Sequence, residues 1–199
     1  MNNVLINKLP QKVIIGGFEV KINSDFRASV NFEGILKNNK LNEEETWSQA
    51  LNLYYGFIPK AEHINEAIEQ MLWFYRCGKE LKESGNNSNS KNTEIYSFEH
   101  DADKIYSAFL DQYGIDLQEL DHLHWWKFKA LFGALKEDNE ISRIMSIRAM
   151  DISKLKGEER EHYKKLKRIY EIPKDSEEVK QNNALQDALM RGEDISKFL

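Results

Sequence analysis

The apolar positions of the chain are organised around residues 120–135, which read LDHLHWWKFKALFGAL. On a helical wheel, the apolar residues of this stretch cover more than half the circumference: Leu120, Leu123, Trp126, Phe128, Ala130, Leu131, Ala134 and Leu135. A helix that is apolar on so many sides is normally central, with neighbours on several sides. Asp116, followed by Glu119, is typical of a helix start, so the pattern predicts a central helix from about Leu117.

Trp125 and Phe132 fall outside this apolar arc, among charged side chains such as Lys129. Two alternatives are open: a further helix covers both rings, or the rings are exposed and bind a partner. Aromatic anchors dominate the energetics of protein interfaces. Trp125, Phe132 and Lys129 are therefore candidate protein-binding residues.

A second pattern lies near the N-terminus, where the segment from Lys12 to Ile22 reads KVIIGGFEVKI. Gly16–Gly17 separates two β-prone runs, and Phe18 and Val20 alternate with charged residues. This pattern predicts a β-hairpin with a two-residue turn of positive φ. A lone hairpin is marginal in water, so we expect it to lie on helices, with the segment from Val4 to Ile6 as a candidate third strand.

Helical spacing predicts six further helices. They begin near Asn23–Ser24, Asn42, Pro59, Ser97, Asn139 and Glu158. The clearest apolar stripe belongs to the third of them: Ile64, Ala67, Ile68, Met71, Leu72 and Tyr75. In the last, Tyr163, Leu166, Ile169 and Tyr170 are expected to face inward. The sequence thus predicts a mainly α protein of the α+β class, a bundle of about six to seven helices with a small N-terminal hairpin.

Polar segments suggest the domain organisation. Residues 83–93 read ESGNNSNSKNT and contain no apolar residue. We predict a single mostly helical domain over residues 1–173, with a mobile loop at 83–94, and a flexible tail at 174–199. Leu185 and Leu189 in the tail have helical spacing, so they are two further candidate protein-binding residues, which would become ordered when something covers them.

Composition narrows the class of protein. The chain has 199 residues and a net charge of -5, and a chain of this length buries enough surface to form an unaided core. Its one cysteine, Cys77, rules out an intrachain disulfide and fits a reducing cytosol. No apolar run approaches the length of a membrane span, so we expect no membrane association.

The polar residues form no recognisable active site. His122 and His124 are two residues apart, and on a helix such side chains point in nearly opposite directions; zinc needs three or four ligands. Cys77 is either a packed thiol or a nucleophile with distant partners. We expect no catalytic residue, no metal and no cofactor, while a metal-dependent enzyme using the acidic patch at Glu99 to Asp103 is a minor alternative.

Residues 143–168 are basic, with nine Lys or Arg against four Asp or Glu. Three interpretations are open for this segment. It binds nucleic acid, it is a solvated face that complements a helix C-terminus, or it docks on an acidic protein, including acidic parts of a second copy in an oligomer.

Several short motifs, taken in order, resemble one family. They are Asn23-Ser24-Asp25-Phe26-Arg27, Phe74-Tyr75-Arg76-Cys77-Gly78, Tyr96-Ser97-Phe98-Glu99-His100-Asp101, Tyr113-Gly114-Ile115-Asp116-Leu117, Leu123-His124-Trp125-Trp126-Lys127-Phe128 and Tyr163-Lys164-Lys165-Leu166-Lys167. Together, over about Lys12 to Pro173, they resemble the bacteriophage gene-product-fifteen family, whose genes lie in the tail module of phages and prophages of Gram-positive bacteria.

The resemblance implies a tail assembly chaperone. Such a protein would coat the long helical tape measure protein, help recruit tail tube subunits, and leave before the virion is complete. It would work in the cytoplasm of the bacterial host, with self-association along the client and no catalytic residues. The alternative is a structural tail or connector component of the virion; a nucleic-acid-binding accessory protein is a weaker one.

Overall fold

The computed structural model describes residues 4–79 and 94–173. These residues form two compact units. The first comprises residues 4–79 and 122–129, and the second comprises residues 94–121 and 130–173. The predicted single domain stays a prediction. Residues 83–93 of the predicted loop, and the tail with Leu185 and Leu189, lie outside the described residues.

Seven α-helices and one β-hairpin make up the described chain, which confirms the mainly α fold class. In chain order the elements are β1 Lys12–Ile15, β2 Phe18–Lys21, α1 Phe26–Lys37, α2 Glu43–Tyr55, α3 Ile64–Tyr75, α4 Ala102–Tyr113, α5 Trp125–Gly133, α6 Glu140–Ala149 and α7 Gly157–Ile169. Short 3-10 turns precede α3 and α7. None of these helices combines the length and apolar character that crossing a bilayer requires.

The hairpin forms as the glycine pair predicts. Gly16 and Gly17 have φ of 58° and 78°, which suits a two-residue turn matched to the twist of the strands. The hairpin is fixed to α3, because the Gly16 N–H donates to the Glu66 carboxylate at 2.6 Å. The His63 ring covers Gly16 so closely that a Cβ there would lie 2.7 Å from its Nε2.

One prediction about this region is wrong. Val4 to Ile6 form a turn and are exposed, so no third strand exists here. A strand of three residues offers few ladder hydrogen bonds to offset the entropy lost on ordering it. Burial along β2 also falls towards the turn: Val20 is half-buried, whereas Phe18 beside the turn is exposed.

Helices α1, α2 and α3 pack in sequence in the first unit, and α3 also contacts β1. The predicted start of α2 is confirmed as a capping box, in which Asn42 and Glu45 exchange two hydrogen bonds of 2.9 Å. The predicted apolar stripe of α3 is buried, except that Ile64 is only half-buried. The buried side of α2 includes Trp47, Ala50, Leu51 and Tyr54. The largest fully buried side chains of this unit are Ile22, Phe32, Leu51, Tyr54, Ile68, Met71, Leu72, Phe74, Trp125 and Phe128.

The predicted central helix starts at Trp125, not near Leu117. The residues before it bond to a distant part of the chain: the Leu123 carbonyl accepts from the Phe26 N–H, and the Trp125 N–H donates to the Ser24 carbonyl, each at 2.8 Å. The Asp25 carboxylate accepts from the Leu123 N–H at 3.0 Å and from the Arg27 N–H at the start of α1. These long-range bonds satisfy backbone groups that a longer helix would have paired internally.

In the second unit, α6 contacts both α4 and α7. Helix α4 begins at Ala102 and not at the predicted Ser97, because residues 98–101 form a turn in which the Ser97 hydroxyl accepts from the His100 N–H. Asn139 precedes α6 as predicted. The inward orientation predicted for α7 is wrong at Ile169, which is 60% exposed; Tyr163, Leu166 and Tyr170 are half-buried.

A buried ion pair joins three parts of the second unit. Arg148 on α6 and Asp101 before α4 are 8% and 2% exposed and form two hydrogen bonds of 2.6 and 3.0 Å. The same guanidinium donates to the carbonyl oxygens of Tyr170 and Ile95, and the Ser97 N–H donates to Asp101. Such a pair is favourable only when its remaining groups are also hydrogen-bonded, as they are here.

Candidate protein-binding surfaces

Trp125, a predicted binding residue, is fully buried in the first unit. Its ring stacks between Tyr75 and Phe128, with centroids 5.6 and 5.7 Å away and planes within 13° of parallel. Its indole N–H donates to the Tyr75 carbonyl at 2.8 Å. Of the two alternatives for this ring, internal packing is therefore the one observed.

Lys129 belongs to the same cluster and is half-buried. Its ammonium lies 5.3 Å from the centroid of the Trp125 ring, in cation–π geometry. Burial lowers the pKa of Lys129, and the nearby Glu33 carboxylate opposes that effect. Glu33 itself accepts a 2.6 Å hydrogen bond from the Tyr75 hydroxyl. Lys129 is thus part of an internal polar cluster and not a free surface cation.

Phe132 lies in a different aromatic cluster, within the second unit. It is 6% exposed, and its ring centroid is 5.1 Å from that of Tyr96 and 5.9 Å from that of Phe98. The structure therefore brings Trp125 and Lys129 together and places Phe132 elsewhere. In this conformation neither aromatic ring is available to a partner.

The two histidines before α5 form hydrogen bonds to distant segments of the chain. His122 Nε2 is 3.0 Å from the Ser24 hydroxyl, and His124 Nε2 is 2.9 Å from the Pro10 carbonyl. Because the Trp126 N–H donates to His124 Nδ1, the ring proton of His124 is on Nε2. Both nitrogens of His124 are engaged, and among the described residues no three His, Cys, Asp or Glu side chains are grouped to hold a metal ion.

Acidification will destabilise the fold through His124. Burial, chiefly, lowers its pKa below the ordinary 6.5, although the bond to Pro10 opposes the change. The unfolded state therefore takes up a proton at a higher pH than the folded state, and stability falls as the pH drops below 6.5. In urea unfolding series at decreasing pH, His124→Gln should show a shallower decline than the unsubstituted chain. Identical declines would contradict this, and exposed His100→Gln is the matched control.

Cys77 lies two residues after the end of α3, in a left-handed conformation with φ of 58°. Burial raises its pKa to about 11, against the opposing effect of Lys129 and Lys79. The thiol is therefore protonated at neutral pH, and a protonated thiol is a poor nucleophile. This environment favours the packed-thiol interpretation of Cys77.

Exposed apolar side chains of the first unit are concentrated in its first twenty residues. Leu5 is 91% exposed and Phe18 is 76% exposed; Val4, Ile6 and Ile14 are also exposed. We call these five residues the N-terminal apolar surface. Sequence analysis did not single out Phe18 as a binding residue, and the signal that could have identified it is its position next to the turn, at the end of the hairpin.

The backbone of β2 adds to this surface. Val13 pairs with Val20, and Ile15 with Phe18, so in the alternating antiparallel pattern the N–H and C=O groups of Glu19 and Lys21 point away from β1. Three of the four β2 residues are exposed. An exposed strand edge of this kind accepts an extended segment of another chain, and the Lys12–Glu19 ion pair at 2.7 Å spans the hairpin beside it.

Comparison with known proteins identifies one similarity. A family model described as Bacteriophage Gp15 protein matches residues 5–172. No curated protein and no solved structure matches the chain. The matched range includes every helix and strand of both units, so the similarity covers the whole described fold.

Proposed function

Because this chain belongs to the bacteriophage Gp15 protein family, and is therefore a bacteriophage protein, we propose that it is a tail assembly chaperone. In this role it binds the tape measure protein and helps recruit tail tube subunits. It makes and breaks no covalent bond. It acts in the cytoplasm of the bacterial host and is absent from the mature virion.

The observation that carries the proposal is Phe18, a large aromatic side chain that is 76% exposed on an ordered strand. A chaperone for a long amphipathic helix needs an apolar surface that the helix can cover. The exposed side chains of the N-terminal apolar surface, in the turn at residues 4–6 and on both faces of the hairpin, are available for such a contact. Copies bound side by side along one client would hold it through many weak contacts.

Capture of the tape measure protein tests the proposal. When the tagged chain and the tape measure protein are expressed together, Phe18→Ser should reduce the captured amount by about tenfold or more, as expected for loss of an aromatic anchor. Phe57→Ser is the control, because Phe57 is also exposed but lies after α2, outside the N-terminal apolar surface. No capture by the unsubstituted chain, or equal capture by Phe18→Ser, would refute the proposal.

Mass spectrometry of purified virions separates the chaperone from the structural alternative. The chaperone is expected to be absent from mature particles, since it leaves during assembly. Recovery in a fixed ratio to the tail tube protein would instead make it a tail or connector component.

A further inference from the structure

Helix α4 presents an exposed acidic face in the second unit. Residues 94–121, which include α4, contain eight acidic residues and one lysine. Asp103, Ser107, Leu110 and Asp111 lie on one side of the helix, with spacing i, i+4, i+7 and i+8, and all four are exposed. We call these four residues the acidic face. Leu110, at its centre, is 43% exposed.

Helix α7 presents an exposed basic face in the same unit. Lys164, Lys165, Arg168 and Ile169 are adjacent on its surface, at spacings of three and four residues, and all are exposed. We call these four residues the basic face. It also contains one exposed apolar side chain, since Ile169 is 60% exposed.

We propose that copies of this chain associate head to tail, with the acidic face of one copy on the basic face of the next. The two faces are complementary, because each combines one aliphatic side chain with charges that are mostly of one sign, opposite in the two faces. The exposed Glu161 beside Lys164 and the Lys104 beside Asp103 reduce these charges only in part. Asp111, Lys165 and Arg168 have no ion pair within the described residues. Complementary charge of this kind steers association and fixes its register.

The ion pairs already present on these faces do not compete strongly. Asp103 pairs with its neighbour Lys104 at 3.2 Å, and Lys164 with Glu161 at 3.8 Å. The side chains of Asp103, Glu161 and Lys164 are 76%, 71% and 55% exposed, and that of Lys104 is 25% exposed. Both pairs are therefore open to solvent on at least one side, and such ion pairs contribute little. They exchange readily for partners on another molecule.

A second copy fits both faces better than nucleic acid does. A polyanion would use only the basic face and would be repelled by the acidic one. A contact between two different faces of the same molecule is heterologous, so each copy keeps one face free and the contact repeats as a ring or an open series. This inference stands on the charges of the second unit and goes beyond the proposed function.

Sedimentation velocity of the full chain tests the inference through a charge exchange. The average mass should rise with protein concentration at low salt and return to that of the monomer at high salt. Asp103→Lys/Asp111→Lys, and separately Lys165→Glu/Arg168→Glu, should each weaken association by about tenfold or more. An equimolar mixture of the two variants should associate again, because every reversed face then meets a complementary one.

Controls with the same change in net charge separate the faces from overall charge. Glu62→Lys/Glu69→Lys and Lys8→Glu/Lys40→Glu alter exposed residues of the first unit and should associate as the unsubstituted chain does. If a lysine variant loses helical circular dichroism, Asp103→Asn/Asp111→Asn replaces it, with the same expected loss of association. A monomeric unsubstituted chain, an unrestored mixture, or association that persists in high salt, as pairing through the β2 edge would, each refutes the proposal.

Discussion

Arg148→Met will lower the free energy of unfolding by about 3–5 kcal/mol, the usual cost of removing one partner of a buried ion pair. The Asp101 carboxylate, 2% exposed, would then be buried without its cation. The carbonyl oxygens of Ile95 and Tyr170 would also lose their donor. Urea unfolding measures the loss, and hydrogen exchange should show it in α4, α6 and α7.

The loss of unfolding free energy in Arg148→Met should depend on pH, and this dependence provides an internal control. Burial raises the pKa of Asp101, but the hydrogen bonds from Arg148 and the Ser97 N–H outweigh it and hold the pKa below the ordinary 3.8. The pair therefore stabilises the fold above that pH, and its contribution is lost as the pH falls.

In Arg148→Met, adding Asp101→Asn should recover part of the stability, since no charge is then buried. A loss of less than about 1 kcal/mol for Arg148→Met would contradict the prediction.

Trp125→Ala will destabilise the first unit by about 3–5 kcal/mol, the range for truncating a large buried aromatic side chain. It opens a cavity between Tyr75 and Phe128 and leaves the Tyr75 carbonyl without the indole donor. It also removes the ring that lies against the Lys129 ammonium. Urea unfolding, with hydrogen exchange of α1 and α3, measures the effect.

Two further substitutions serve as comparisons for Trp125→Ala. Trp125→Phe keeps an aromatic ring and loses the indole N–H, so its cost should be intermediate. Phe18→Ala removes a ring that is 76% exposed, and its effect should remain within about 0.5 kcal/mol, as for most surface substitutions. If Trp125→Ala and Phe18→Ala lowered the free energy of unfolding by similar amounts, the buried packing of Trp125 would be contradicted.

The sequence predicted the elements whose signals are local. The glycine pair fixed the hairpin, because two adjacent positive φ values are easily adopted only by glycine. Asn42 and Glu45 marked a helix start through hydrogen bonds that span three residues. Asn139 lies directly before α6 as predicted, although its side chain makes no capping hydrogen bond there. The periodic apolar stripe of α3 identified its buried side.

The sequence could not predict features set by distant residues. Residues 117–124 have helical spacing, yet Asp25 and Phe26 hold Leu123 by hydrogen bonds between residues almost a hundred positions apart. Whether Trp125 is buried or exposed depends on Tyr75, a residue of α3 whose ring stacks on the indole. For the binding surface, the exposure of Phe18 could not be predicted from alternation, because alternation predicts the face of a strand on which a side chain lies. It does not predict how far along the strand that face is covered.

The attachment of Gly16 to α3 affects how the hairpin meets a ligand. The Glu66 carboxylate and the His63 ring hold the turn directly beside Phe18, so this strand is already ordered when the protein is free. Association then restricts only the incoming chain, and such preorganisation lowers the entropic cost of a weak contact. Any side chain at position 16 would displace the imidazole and loosen the tip.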